Sequence, residues 1–221
     1  MVAPKTYDTC TPTCGDGLIL GSEGCDDHNL TPNDGCSATC SVESGWICSV
    51  IMPITWDTCK AICGDAIIVS SEGCDDGNHV SGDGCAYPAC TVETGFTCSV
   101  ILPNTQDTCS PTCGDGLIKG NEACDDHNVT PNDGCSATCT LESGWVCSIV
   151  APSTWDSCTG ICGDSIIVSS EGCDDGNHNS GDGCSYPGCL VETGWTCNVI
   201  GPLTWDTCVP TCGDGLIYGS E

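Results

Sequence analysis

The chain has 221 residues, with 31 Asp plus Glu against only 3 Lys or Arg and a formal charge of −28. With so few cations to neutralise phosphate, nucleic acid is excluded as a partner and an anionic lipid surface is disfavoured. The 26 Cys, 29 Gly and single Phe exclude a large aromatic core and point to a disulfide scaffold of an oxidising, extracellular compartment.

Residues 1–13 read as the end of a preceding repeat, because Met1-Val2-Ala3-Pro4 matches Ile149-Val150-Ala151-Pro152 and lacks the apolar core of a signal peptide. Cys-Gly-Asp then recurs at Cys14, Cys63, Cys113, Cys162 and Cys212, in steps of 49, 50, 49 and 50 residues. The expected modules are residues 14–62, 63–112, 113–161 and 162–211, with 212–221 opening a following repeat. The chain reads as a window of a longer tandem array, with a secretory signal expected outside it. No apolar run approaches the ~18–20 residues of a membrane span, so no membrane insertion is expected.

The first and third modules agree at 35 of 49 positions. Even modules carry one extra residue between the third and fourth Cys, where Cys36-Ser-Ala-Thr-Cys40 becomes Cys85-Ala-Tyr-Pro-Ala-Cys90. Odd modules read Asp-Asp-His-Asn and even modules Asp-Asp-Gly-Asn, so the true period is a two-module unit of 99 residues. Such regularity belongs to a quasi-one-dimensional stack.

Within a module, Leu18-Ile19-Leu20 and Ile67-Ile68-Val69 have β-type composition, and Trp46 to Ile51 forms a second run ended by Pro53. Asp-Gly and Asn-Asp-Gly supply turns, and no window has helical periodicity. The predicted fold is a small disulfide-rich, linear tandem array of ~49/50-residue modules, with short strands and turns, little or no helix, and an elongated rod shape. Each module contributes six bridging cysteines. They are Cys14, Cys25, Cys36, Cys40, Cys48 and Cys59, then Cys63, Cys74, Cys85, Cys90, Cys98 and Cys109. The third and fourth modules repeat the set with Cys113, Cys124, Cys135, Cys139, Cys147 and Cys158, and with Cys162, Cys173, Cys184, Cys189, Cys197 and Cys208. Six Cys allow about 15 pairings, and spacing does not choose among them. Cys10 and Cys212 fall outside the complete modules.

The string Cys14-Gly-Asp-Gly, Glu23-Gly-Cys25-Asp26-Asp27, Asn29, Asp34-Gly-Cys36, Cys40, Glu43 and Gly45-Trp46-x-Cys48 resembles the disulfide-rich repeat first described from myxobacterial proteins. It is also similar to the Lin-12/Notch-type inserts of pappalysin metalloproteases and to repeats of mastigoneme-type surface proteins. The resemblance covers nearly the whole chain and implies an extracellular module. It departs at His28 and His127, where the family usually carries Gly.

The carboxylates carry the chemistry. Asp16, Glu23, Asp26, Asp27, Asn29 and Asp34 gather between Cys14 and Cys36, and recur as Asp65, Glu72, Asp75, Asp76, Asn78 and Asp83. They recur again as Asp115, Glu122, Asp125, Asp126, Asn128 and Asp133, and as Asp164, Glu171, Asp174, Asp175, Asn177 and Asp182. Calcium takes 6–8 hard oxygens and fits this inventory, although the order is not that of an EF-hand loop. The competing reading is that these residues cap turns and solubilise the surface. Zinc is not expected, because most Cys gaps are too long for finger or ribbon pairs. Catalysis is not expected either, since the same polar groups recur four times and no unlike set of them marks one pocket.

Asn29-Leu30-Thr31 and Asn128-Val129-Thr130 are N-glycosylation sequons, one per two-module unit. Trp56, Trp155 and Trp205 stand in Trp-x-x-Cys settings that resemble C-mannosylated repeats, with packing over a disulfide as the competing reading. The sequence thus predicts a structural segment of an extracellular filament or surface coat, whose partners are copies of itself or adjoining repeats and covalent glycans. An adhesion or spacer module of a larger surface protein is the alternative, and accessory repeats of an extracellular protease a third.

Overall fold

The computed structural model describes residues 11–50, 56–99, 106–149, 155–198 and 205–218. Cys10 lies outside them. The chain divides into two units, Met1–Ser110 and Pro111–Glu221. Twelve disulfides join the described cysteines, and one pattern recurs in all four modules. The first Cys bonds the fourth, as Cys14–Cys40, Cys63–Cys90, Cys113–Cys139 and Cys162–Cys189. The second bonds the third, as Cys25–Cys36, Cys74–Cys85, Cys124–Cys135 and Cys173–Cys184. The fifth bonds the sixth, as Cys48–Cys59, Cys98–Cys109, Cys147–Cys158 and Cys197–Cys208. Each bridge closes within its own six-Cys step and stabilises by about 2–4 kcal/mol, largely by restricting the unfolded chain. Cys212 is exposed and unpaired.

No helix occurs among the described residues, and none is long and apolar enough to cross a membrane. The strands are short and antiparallel. In the first module β1 (Trp46–Val50) pairs with β2 (Asp57–Ala61), setting Cys48 directly opposite Cys59. The disulfide therefore staples the hairpin across its own register. In the second module β3 (Cys85–Ala86) pairs with β4 (Thr91–Val92), and β5 (Phe96–Ser99) with β6 (Thr108–Pro111). The third module repeats the first through β7 (Trp145–Ile149) and β8 (Asp156–Gly160). The fourth repeats the second through β9 (Cys184–Ser185) with β10 (Leu190–Val191) and β11 (Trp195–Asn198) with β12 (Thr207–Pro210).

The β-run expected at Trp46 is β1, but Leu18–Leu20 and Ile67–Val69 are not strands. Their amides are taken by acidic side chains instead. Leu18 N–H donates to Asp16 Oδ1 (2.9 Å) and Leu20 N–H to Glu23 Oε2 (2.8 Å), and Asp65 and Glu72 do the same for Ile67 and Val69. Their side chains have another use. Ile67 and Val69 pack beside Gly45 of the preceding module, where Ser70 Oγ donates to the Asn33 carbonyl (3.0 Å). Ser169 Oγ makes the equivalent bond to Asn132 in the second unit (3.3 Å).

The core is unusual in composition. The fully buried side chains include Cys25, Cys36, Cys74, Cys124, Cys135 and Cys173, together with Asp26, Asp75, Asp107, Asp125 and Asp174. Leu18, Leu20, Ile47 and Leu30 stay exposed. Buried sulfur and amide-bound carboxylate do what an apolar core does elsewhere. Packing is tight around them: a Cβ on Gly35 (φ 118°) would lie 2.2 Å from the Cys59 Cβ, so the hairpin and the preceding loop meet there without room for any side chain.

Candidate functional site

Asp26 lies at the centre of the first module and is inaccessible to solvent. Its Oδ2 accepts from Gly15 N–H (2.9 Å), and its Oδ1 from Gly17 N–H (3.0 Å) and His28 N–H (2.9 Å). Burial pushes the carboxyl up, but the amides of His28, Gly17 and Gly15 outweigh it and hold Asp26 below the usual carboxylate range. The second-module equivalent, Asp75, gathers Gly64, Asp65, Ala66 and Gly77 amides. Asp125 and Asp174 do the same. These four carboxylates therefore organise backbone; their oxygens are already in use.

A second Asp, two residues before the sixth Cys, locks onto the first. Asp57 N–H donates to the Asp26 carbonyl (2.7 Å), and Asp26 N–H donates to Asp57 Oδ2 (3.1 Å). Asp107, Asp156 and Asp206 hold Asp75, Asp125 and Asp174 in the same way. This reciprocal pair fastens the hairpin to the loop, and sequence reasoning missed it. The signal was present, since Asp recurs at this position in every copy of the Asp-x-Cys motif. Glu43 organises backbone in a similar way, its carboxylate accepting from the Asn33 (2.9 Å), Asp34 (3.1 Å) and Gly35 (3.0 Å) N–H groups. Burial opposes its charge, yet those amides hold Glu43 below its ordinary value.

The remaining predicted ligands sort into turn formers and open oxygens. Asp16 closes a turn on Leu18, and Asn29 Oδ1 accepts from Thr31 N–H while its Nδ2 donates to Asp34 Oδ2 (3.1 Å). The open oxygens are buried and lack a protein partner: Glu23 Oε1, Asp27 Oδ1 and Asp34 Oδ1 in the first module, and Glu122 Oε1, Asp126 Oδ1 and Asp133 Oδ1 in the third. Burial raises the Asp27 carboxyl, and the neighbouring Asp34 charge raises it further. Asp126 with Asp133, Asp76 with Asp83, and Asp175 with Asp182 repeat this pairing. Two carboxylates forced together without a Lys or Arg are a place for a proton or a cation.

Four groups bring potential ligand atoms within 4.8 Å of one another: Glu23, Asp26 and Cys40; Cys63, Glu72 and Cys90; Cys113, Glu122 and Cys139; Glu171, Asp174 and Cys189. Every sulfur among them is in a disulfide. These clusters thus offer a cation carboxylate oxygen rather than thiolate, a donor set compatible with a hard ion such as calcium.

A family model described as a domain of unknown function (DUF4215) matches residues 4–41, 43–91, 94–140 and 142–190, most of the chain. The chain belongs to that family. No curated protein and no solved structure matched it. The matched DUF4215 segments run in a different phase from the modules counted from Cys-Gly-Asp: the segment 43–91 takes a hairpin and the loop that follows it. The hairpin of the first module touches both neighbours, locking Asp26 behind it and meeting Ile67 and Val69 ahead.

The alternation within these DUF4215 repeats is a packing exchange. His28 (φ 70°) and Gly77 (φ 74°) have the same left-handed backbone, as do Gly17 (φ 80°) and Ala66 (φ 66°). The departure at His28 thus leaves the turn unchanged. A Cβ on Gly17 would lie 2.7 Å from His28 Nδ1, and a Cβ on Gly77 would lie 3.1 Å from the Ala66 Cβ. One of the two positions carries the side chain, and the other yields the space. His28 stacks on Trp56 (5.2 Å between ring centres) and His127 on Trp155 (5.1 Å), while His79 and His178 sit on Tyr87 and Tyr186.

Among the predicted modification sites, Asn29 and Asn128 are half-buried. The Asn29 amide contact to Asp34 recurs at Asn78 and Asn177, which lack a sequon, so it serves the loop irrespective of sugar. Trp56, Trp155 and Trp205 are all exposed, Trp205 most. Trp145 lines a groove with Asn132, Leu141, Glu142, Val168 and Ser169, but its ring is buried and works as core.

Proposed function

We propose that this chain is a segment of an extracellular filament or surface coat, built from disulfide-stapled repeats that bind calcium and carry glycans at Asn29 and Asn128. The observation that carries this reading is the sameness of the modules. All four repeat three bridges, one amide-bound Asp and one Asp–Asp lock. A structure repeated so closely supports a constant spacing more readily than a single reaction centre. Calcium would sit between the outer carboxylates, Asp27 with Asp34 and Asp126 with Asp133, whose open oxygens and mutual repulsion support a bound cation. Adjoining repeats or copies of the chain are the natural partners.

Electron microscopy of the protein in calcium tests this reading. Particles of uniform width whose length rises in proportion to module number are expected. Compact particles of no fixed length, or particles unchanged in protease resistance by a calcium chelator, would count against it. Glycopeptide mapping should find sugar on Asn29 and Asn128, and bare asparagines there would remove glycans from the proposal.

A further inference from the structure

The two modules that carry a sequon share a surface feature that is built differently in the other two. In the first module the residue before Asn29 is His28, whose ring stacks on Trp56 with centres 5.2 Å apart and planes inclined by 26°. In the third module His127, before Asn128, stacks on Trp155 at 5.1 Å and 30°. Each imidazole takes one side of its indole, yet Trp56 is still 39% exposed and Trp155 41%. His28 and His127 are exposed as well. An apolar ring surface thus faces water beside each predicted glycan attachment point. In the even modules Gly77 and Gly176 precede Asn78 and Asn177, neither of which begins a sequon. Gln106 stands in place of the Trp in the second module and donates through Nε2 to the Asp76 carbonyl. In the fourth module Trp205 lies beside Gly176, where the odd modules have His, and is 60% exposed.

The attachment point is held in a fixed direction. Thr31 N–H and Thr130 N–H donate to Asn29 Oδ1 and Asn128 Oδ1, and one Nδ2 hydrogen of Asn29 goes to Asp34 Oδ2 (3.1 Å). An amide nitrogen carries two hydrogens, so a sugar replaces the second and leaves these bonds in place. The stacked ring is one residue away, with about 3.8 Å between consecutive Cα atoms. The C–H face of a pyranose is apolar and its hydroxyls lie around the rim. Laying that face on an aromatic ring removes apolar area from water while the hydroxyls stay hydrated. A neutral sugar is not repelled by a chain of charge −28. Because it is tethered beside the ring, its effective concentration is high enough to populate even a weak contact.

We propose that the His28–Trp56 and His127–Trp155 stacks are platforms for the first sugar, an N-acetylhexosamine, of glycans on Asn29 and Asn128. The inference rests on the glycan reading above and deepens it by naming the surface on which the sugar lies. Trp56 and Trp155 then hold the sugar by contact, without a covalent bond to the indole. The sugar covers the turn from Asn29 to Thr31 and its copy from Asn128 to Thr130, and slows the opening of both.

The whole chain secreted from a glycosylating host, compared with its Thr31→Ala, Thr130→Ala variant, tests the proposal. Alanine keeps the N–H that bonds Asn29 and Asn128 and removes only the sequon. Nuclear Overhauser contacts are expected from the first sugar to the Trp56 and Trp155 indoles, and none to Trp205. The glycan should slow hydrogen exchange of the amides at positions 31 and 130 by about 2- to 10-fold, the range for a stacked aromatic partner. Trp56→Gln with Trp155→Gln, a side chain the second module carries as Gln106, should abolish that difference between glycosylated and bare chains. If sugar is present on both asparagines but touches neither indole, and the exchange difference survives in the Gln variant, this proposal alone is overturned. If both asparagines are bare, the glycan reading falls and this proposal with it. A hexose bonded to Trp56 or Trp155 itself, found by peptide mass, also overturns it. Where the Gln variant fails to form its disulfides, the Overhauser contacts in the wild type decide.

Discussion

Replacing Asp26 should cost more stability than its size suggests, by an amount countable from its contacts. Asp26→Ala strips the acceptor from three amides, those of Gly15, Gly17 and His28, at 2.9 to 3.0 Å. A buried donor left without a partner costs about 1–3 kcal/mol. The Gly15 and His28 bonds are only partly buried, so water recovers some of the loss, and about 3–5 kcal/mol is expected for the three together. Asp26→Asn keeps an oxygen for Gly17 and His28 but turns a donor toward the Gly15 amide, for about 1–3 kcal/mol. Bridges hold the module together in both variants, so global unfolding is the wrong readout. Hydrogen exchange at the three amides is the right one: 3 kcal/mol corresponds to roughly 10²-fold faster exchange. The loss should be the same in calcium and in chelator, because both Asp26 oxygens are committed to backbone. Unchanged exchange at these amides in Asp26→Ala, or a change seen only when calcium is present, would show that the carboxylate is a metal ligand rather than a backbone organiser.

Gly35→Ala places a Cβ 2.2 Å from that of Cys59, so oxidative folding should give scrambled bridges, detected by non-reducing peptide mapping; the native Cys48–Cys59 peptide in normal yield would contradict the packing. Gly17→Ala should destabilise the first module by about 1–3 kcal/mol through overpacking against His28, and Gly17→Ala with His28→Gly should recover at least half, since the second module uses that combination as Ala66 with Gly77; additive losses in urea unfolding would refute the exchange. Glu43→Gln should loosen the turn at Asn33–Gly35 and raise its protease sensitivity. Because amides lower the folded-state value of Glu43 below its ordinary 4.5, its contribution is present above about pH 4.5 and lost as pH falls through the lowered value. Thermal melts of wild type and Glu43→Gln should therefore converge in acid; a gap that widens there would reverse the assignment.

The spacing of cysteines and the lack of helical periodicity were enough to establish the array, its two-module period and a fold without helix among the described residues, because a chain with one Phe and 26 Cys has little else to fold around. The strand at Trp46 was legible too, since its β-type run faces a second Cys-bearing segment that can pair with it. Leu18–Leu20 had the right composition for a strand and failed to become one, because Asp16 and Glu23 supply the acceptors that a neighbouring strand would have supplied. Disulfide pairing was beyond the sequence: six equivalent sulfurs have no local preference, and only the folded positions bring Cys14 to Cys40 and Cys48 to Cys59. The acidic run was visible as a set, but residues adjacent in sequence have opposite duties. Asp26 turns inward to three amides, while Asp27 is left facing Asp34. Asp57 and Asp107, distant in sequence from that run, join it only because the hairpin folds back over the loop and engages its backbone with their N–H and carboxylate groups.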